Sequence, residues 1–382
     1  MTELKNFNPK FPEKGIEIDE EEDIEQEKED ITAPFDPTQI RVDTRPMTID
    51  LVLSRIKYDE LDLAPDFQRR DGIWTDTAKS RLIESIFIRI PLPAFYLDAT
   101  NEDKWLVIDG LQRLTALKQF VINKQFKLKD LEYLKEFEGK TYNELPRNFQ
   151  RRILETVITV YLIEKGTPPE VKFNIFRRIN TGGLPLSPQE LRHALNQGKA
   201  TKFLTKLAAS PDFLMATGMT KRSKNRMEDH EFVLRFLAFS ITSYTDYQAK
   251  LIDVFLNETM VKLNKMNDQE LNYIEEIFLQ SMRLAYDIFG QYAFRKISKS
   301  NLSRKYPINK ALFEVWSVSL SKLSSQGIKK LLQRKQQLFD RIIDIMDRDD
   351  NFMVSISQST SKISTVNYRF STIEKLLQEL LS

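Results

Sequence analysis

The sequence predicts an α+β domain followed by an all-helical one, and three observations carry that reading. A chain of 382 residues exceeds what one ordinary core organises. Compact apolar runs bounded by polar turns, the signature of strands, fall at 94–99, 104–110 and 157–163, and strand signals stop near residue 185. Beyond that point long stretches with helical apolar spacing dominate. The expected limits are a disordered acidic tail at 1–35, an α+β domain at 36–185 and a helical domain at 186–382.

Each element follows from local signals. Residues 48–57, TIDLVLSRIK, are helical, with Thr48 as N-cap and Asp50 in the first turn. LDLAPDFQRRDGIW is a short extended piece broken by Pro65 and the Asp71-Gly72 turn. A helix over 77–90 follows Thr75-Asp76-Thr77, with Leu82, Ile83, Ile86 and Ile90 on one face, and Pro91 and Pro93 stop it. The runs 94–99 and 104–110 form an adjacent strand pair, 111–123 is helical, and Val157–Ile163 is the strongest β-run. Residues 168–180 return to helix. Further helices are expected at 187–197, 200–208, 228–243, 246–264, 268–289, 309–323, 326–347 and 370–381.

Composition narrows the chemistry. No cysteine is present, which removes disulfide scaffolds, thiolate metal sites and cysteine nucleophiles. Two histidines, His193 and His230, leave little for histidine-rich metal sites or Ser-His-Asp triads; His230 reads as a surface or helix-cap residue. No apolar stretch is long enough to span a membrane and the N-terminus has no signal-peptide core, so the cytoplasm is the expected compartment. The first thirty residues hold twelve acidic and four basic residues, against 43 and 53 in the remainder. That split suggests a solubilising tail, or one that masks a basic surface.

Three segments can carry chemistry. Asp109-Gly110-Leu111-Gln112-Arg113 joins an apolar strand to an amphipathic helix through a glycine turn, which gathers free backbone N–H groups and the positive helix end. There Arg113 can fork onto phosphate oxygens, Asp109 can hold a divalent cation or a water, and Gln112 can position a water or contact a base or phosphate. The plainer alternative makes Asp109 an N-cap, Gly110 a turn residue and Arg113 a solvated side chain. In the second segment, 66–74, Trp74 is either a core anchor or a stacking platform. The third runs from Arg177 to Leu191: Gly182 and Gly183 close one helix, and Ser187, Pro188 and Glu190 cap the next, with Leu186 and Leu191 as its staple. Capping does not account for Asn180-Thr181 or the paired arginines before them.

Taken together these stretches resemble the domain-of-unknown-function 262 family, which includes the N-terminal nucleotidase half of GmrSD-type, modification-dependent restriction systems. The matching pieces are Gln68-Arg69, Trp74, Ile90-Pro91-Leu92-Pro93, DGLQRLTAL at 109–117 and RINTGGLPLSPQEL at 178–191. They cover about 40–200, with weaker likeness through 226–239 and 309–316. The resemblance implies a ParB/sulfiredoxin-like fold, a small mixed sheet flanked by helices. It further implies a Mg²⁺-dependent NTP site, GTP or another triphosphate, in a phage-defence or DNA-modification-sensing system.

In that site Asp109, Gln112 and Arg113 would be catalytic, with Asp109 on the metal. Gln68, Arg69, Trp74, Gly110, Asn180 and Thr181 would bind nucleotide. Leu111 departs from the family box, which has Gln there; it either weakens catalysis or faces the core. The family's His-x-x-Pro nuclease box finds no match at His193 or His230, so a separate nuclease or defence protein is the expected partner. The alternative is a ParB-like, nucleotide-gated DNA-binding regulator without significant hydrolysis. DNA would then meet 281–310, seven Lys/Arg against one acid interleaved with aromatics, and the basic loop 221–226.

Overall fold

The computed structural model describes residues 41–63, 74–167, 169–179, 187–219, 227–248, 251–302 and 304–382. The acidic tail, Gln68, Arg69, Asn180, Thr181 and the loop 221–226 lie outside the described residues. Chain contacts divide the described residues into two units, one ending at Leu195 and the other running over Asn196–Ser382.

In the first unit β1 (Val42–Thr48) leads into α1 (Ile49–Lys57), whose N-cap Thr48 accepts from the Leu51 amide. After β2 (Leu61–Asp62) comes α2 (Asp76–Phe87), capped by Thr75. The expected extension to Ile90 does not occur. Arg89 takes a left-handed φ of 62°, and the amides of Arg89 and Ile90 turn back to the carbonyls of Ile86 and Ser85, at 3.1 and 2.8 Å, a left-handed C-terminal cap that closes the helix before Pro91 is reached. The hairpin β3 (Phe95–Ala99) and β4 (Trp105–Asp109) feeds α3 (Leu111–Leu117), which continues as a π-helical turn over Lys118–Ile122. Then come α4 (Arg147–Glu155), β5 (Val157–Glu164), α5 (Pro169–Ile179) and α6 (Pro188–Leu195).

The five strands form one mixed sheet in the order β1-β5-β3-β4-β2. β1 pairs antiparallel with β5, β5 parallel with β3, β3 antiparallel with β4, and β4 parallel with β2. The strand β1 has no counterpart in the sequence reading. Pro46 and its polar neighbours hide it, and the edge of a sheet is where a proline is tolerated. Period-two alternation sends Phe95, Leu97, Trp105, Val107, Ile158, Val160 and Leu162 to one face, under α1, α2 and α3. Ile108 and Ile163 emerge on the other and pack with Phe173 and Phe176 of α5 and Leu191 of α6. That second cluster keeps α6 with the sheet, so the unit ends at 195 and not at 185.

The second unit contains α7 (Lys199–Ala208), α8 (Pro211–Thr217), α9 (Glu228–Ile241), α10 (Ile252–Lys265) and α11 (Asp268–Phe289). They are followed by α12 (Lys310–Ser321), α13 (Ser325–Gln333), α14 (Lys335–Arg348), α15 (Asp350–Ser355) and α16 (Ile363–Leu381). The expected helix 326–347 is therefore two helices meeting at Arg334. Helices α9 and α12 are buried over most of their lengths, as central helices are. Glu314, wholly buried, is gripped by Arg235 at 2.5 Å and by Arg369; Arg235 also holds Glu231 at 2.8 Å. This network joins the two weaker stretches of likeness, 226–239 and 309–316.

The basic window 281–310 is not a solvated surface throughout. Arg295 is 3 % exposed, and its guanidinium donates to the carbonyl oxygens of Gln291, Tyr306 and Thr217. Burial pulls it down to about 10. Arg295 is thus a staple of the fold and not a phosphate ligand. Phe289 and Phe294 are core residues, Lys310 is buried beside Glu231, and Lys299 pairs with Asp344. Arg304 and Lys305 do face solvent, Arg304 lying over the Tyr306 ring.

Candidate functional site

The β4–α3 turn is built on Gly110. Its φ of 98° suits glycine, and any Cβ there would run into the Phe95 ring. The turn drops the chain from the sheet into α3, so that Asp109 ends β4 and Arg113 lies one helical turn on, four residues later.

The side chain of Arg113 points back. It is 11 % exposed, pairs with Asp109 Oδ2 at 2.8 Å, and donates to the carbonyl oxygens of Ala94, at 3.1 Å, and Pro93. Its guanidinium lies 4.2 Å from the Phe95 ring centroid. Burial lowers its proton affinity and Asp109 opposes that. Arg113 is therefore the clamp between the acid of the box and the Ile90-Pro91-Leu92-Pro93 break; proline at 91 and 93 removes two backbone donors there but leaves carbonyls to be satisfied. The solvated alternative for Arg113 does not hold, nor does Asp109 cap α3: the capping residue is Gly110.

Gln112 reaches the second segment. Its Oε1 accepts from the Trp74 backbone N–H at 3.4 Å, while the Trp74 ring packs half-buried against the first-face core. Of the two readings of Trp74, its packing is that of a core anchor. Leu111 also packs against that core, so the departure from the family box falls on a core-facing position.

The third segment arrives by the β5–α5 crossover. On the second face of the sheet Lys172 of α5 pairs with Asp98 of β3 at 2.6 Å, both side chains nearly buried, and Thr100 donates its amide and hydroxyl to the same carboxylate. One turn later Phe176 is buried against Ile108 and Ile163. Helix α5 therefore descends β5 and β3 toward the end of the sheet that holds Asp109, and its final residues include exposed Arg178. Ser187 and Glu190 form the expected capping box of α6, with the Glu190 amide donating to Ser187 Oγ and the Ser187 amide to Glu190 Oε2.

Two residues at this end of the sheet escaped the sequence reading. Tyr96 is the register partner of both Asp109 and Tyr161, and the Tyr96 and Tyr161 rings stack at 4.8 Å with an interplanar angle of 19°. Burial raises the Tyr96 phenol, helped by Tyr161 and Asp109. The signal was the alternation in FYLDA, which places Tyr96 and Asp98 opposite Phe95 and Leu97.

Among the described residues no group of three or more His, Asp or Glu side chains is arranged to hold a metal ion, and no helix is long and apolar enough to cross a membrane. His230, in the first turn of α9, lies between Asp229 at 2.8 Å and Thr205 at 3.1 Å. Compared with known proteins, residues 49–196 match the family described as the GmrSD restriction endonuclease, N-terminal domain. The match starts with α1 and ends one residue past the sheet unit. No curated protein matches the chain.

Proposed function

We propose, for a chain whose residues 49–196 are a GmrSD-type N-terminal domain, that the β4–α3 turn binds a nucleoside triphosphate and hydrolyses it within a restriction or phage-defence system. The observation that carries this is convergence. Asp109 and, through Gln112, the Trp74 end of the second segment are joined at one strand-to-helix turn whose amides no side chain caps, and α5 runs toward the same end of the sheet.

The roles differ from those spacing alone implies. Arg113 gives three of its five donors to Asp109 and the 93–94 carbonyls, which fixes it as the residue that stations the acid and the break. Phosphate charge then falls to Arg69 and to Arg178. Gln112, its oxygen engaged with Trp74, has its amide hydrogens to offer a phosphate oxygen. Asp109 keeps Oδ1 for a water or for Mg²⁺. A lone carboxylate with one oxygen committed fits that ion only as a nucleotide-borne one, with triphosphate and water supplying most of its shell. When bound, Mg²⁺ would neutralise charge on the β- and γ-oxygens. The chain's own contribution is positioning: the amides of the turn take the phosphate, and Asp109 orients the attacking water.

The test is phosphate release by purified protein with each NTP and Mg²⁺, with and without DNA, alongside equilibrium binding. Release that disappears in Asp109→Asn while binding persists supports hydrolysis at this turn. Tight NTP binding without release, coupled to DNA affinity, would instead favour the nucleotide-gated regulator. No binding of any NTP would overturn both.

A further inference from the structure

We infer that Tyr96 and Tyr161 form the base-binding wall of this nucleotide site, a subsite that rests on the nucleotide reading above. The two rings stand side by side on neighbouring parallel strands, stacked and half-exposed, at the register level of Asp109. Tyr96 leans on the second-face cluster of Ile108, Phe173 and Phe176 and is fixed by it. Tyr161 is the outer ring, and the sheet positions flanking it are open: Thr44, its register partner on β1, and Thr159 are both exposed.

Among the described residues neither phenolic hydroxyl hydrogen-bonds to the protein, and neither is buried without a partner. The pair thus offers an aromatic face and two uncommitted polar tips beside the proposed phosphate turn. Strands β4 and β5 are two spacings apart, about 10 Å, which an extended nucleoside triphosphate spans. Stacking on an aromatic side chain is open to any nucleobase, because every base has a π-face.

The experiment compares full-length parent, Tyr161→Leu, Tyr161→Phe and Tyr161→Trp by calorimetric titration with ATP, GTP and inorganic tripolyphosphate, each with Mg²⁺. The expected result is that Tyr161→Leu binds both nucleotides about tenfold more weakly but tripolyphosphate as the parent does, with Tyr161→Phe near parental. In Tyr161→Trp, which retains a ring even if the leucine variant fails to fold, nucleotide should quench the new indole emission and tripolyphosphate should not. The subsite is overturned if the parent binds tripolyphosphate as tightly as NTP, if Tyr161→Leu binds NTP like the parent, if it weakens both ligands equally, or if the indole ignores nucleotide. In each of these outcomes the phosphate turn itself stands. A parent that binds neither class of ligand removes the phosphate turn and the subsite together.

Discussion

Replacing Arg113 by alanine separates two roles that the sequence could not. If the guanidinium is a clamp, its loss strands the Asp109 carboxylate and two carbonyl oxygens, and removes the cover over the Phe95 ring. Breaking a buried ion pair costs about 3–5 kcal/mol. Asp109 is 27 % exposed, so part of that cost is returned by water, and about 2–3 kcal/mol is the better figure. For a unit of this size that is a fall in melting temperature of roughly 5–10 °C. Calorimetry or urea unfolding followed by circular dichroism reads it directly. Arg113→Lys should recover only part, because an ammonium cannot reach the carboxylate and both carbonyls as a planar fork does. An Arg113→Ala protein that melts with the parent yet loses NTP binding would refute the clamp and return Arg113 to the phosphate.

Gly110→Ala should destabilise the sheet unit by at least about 2 kcal/mol through positive-φ strain and collision with Phe95; Gly110→Ala with Phe95→Leu should recover part of it in the same melt. Glu84, buried on α2, accepts the amides of Glu132, Tyr133 and Leu134. Burial pushes its carboxyl up, but those amides and Lys135 more than offset this, and it titrates below the usual range. A depressed carboxyl contributes stability above its unfolded pKa, about 4.3, and loses it as pH falls through the lower folded value. The stability gap between parent and Glu84→Gln, measured by urea titration, should be full at pH 7 and shrink below about pH 4. In the helical unit Arg295→Ala should lower the melting temperature, whereas Arg304→Ala with Lys305→Ala should leave it unchanged. If this unit meets nucleic acid there, the double variant alone should weaken the salt-dependent binding seen in a filter assay.

Legibility followed the range of the forces involved. Caps and stops act within a turn of backbone, so Thr48, Thr75 and the Ser187–Glu190 box could be read from neighbouring residues alone. Apolar spacing carries the helix over 77–90 too far, because a left-handed cap at a non-glycine residue, Arg89, has no signature in the sequence. The DGLQR box was legible as a strand-to-helix turn with a glycine that nothing can replace without cost.

The sequence by itself determined most of the segments that become strand or helix, β1 excepted, where many of them stop, and which residue types gather at the Asp109 turn. Only the tertiary structure decided where the long polar side chains point. Arg113 and Arg295 read from sequence as cations for phosphate. Folding buries both, and a buried guanidinium must find acceptors inside the protein, so Arg113 closes on Asp109 and the 93–94 carbonyls and Arg295 on three carbonyls of its own unit. Tyr96 and Tyr161 lie far apart in the chain and become one aromatic wall because β5 inserts between β1 and β3. Strand order depends on which apolar faces cover which, a sum over the whole core that no local window contains.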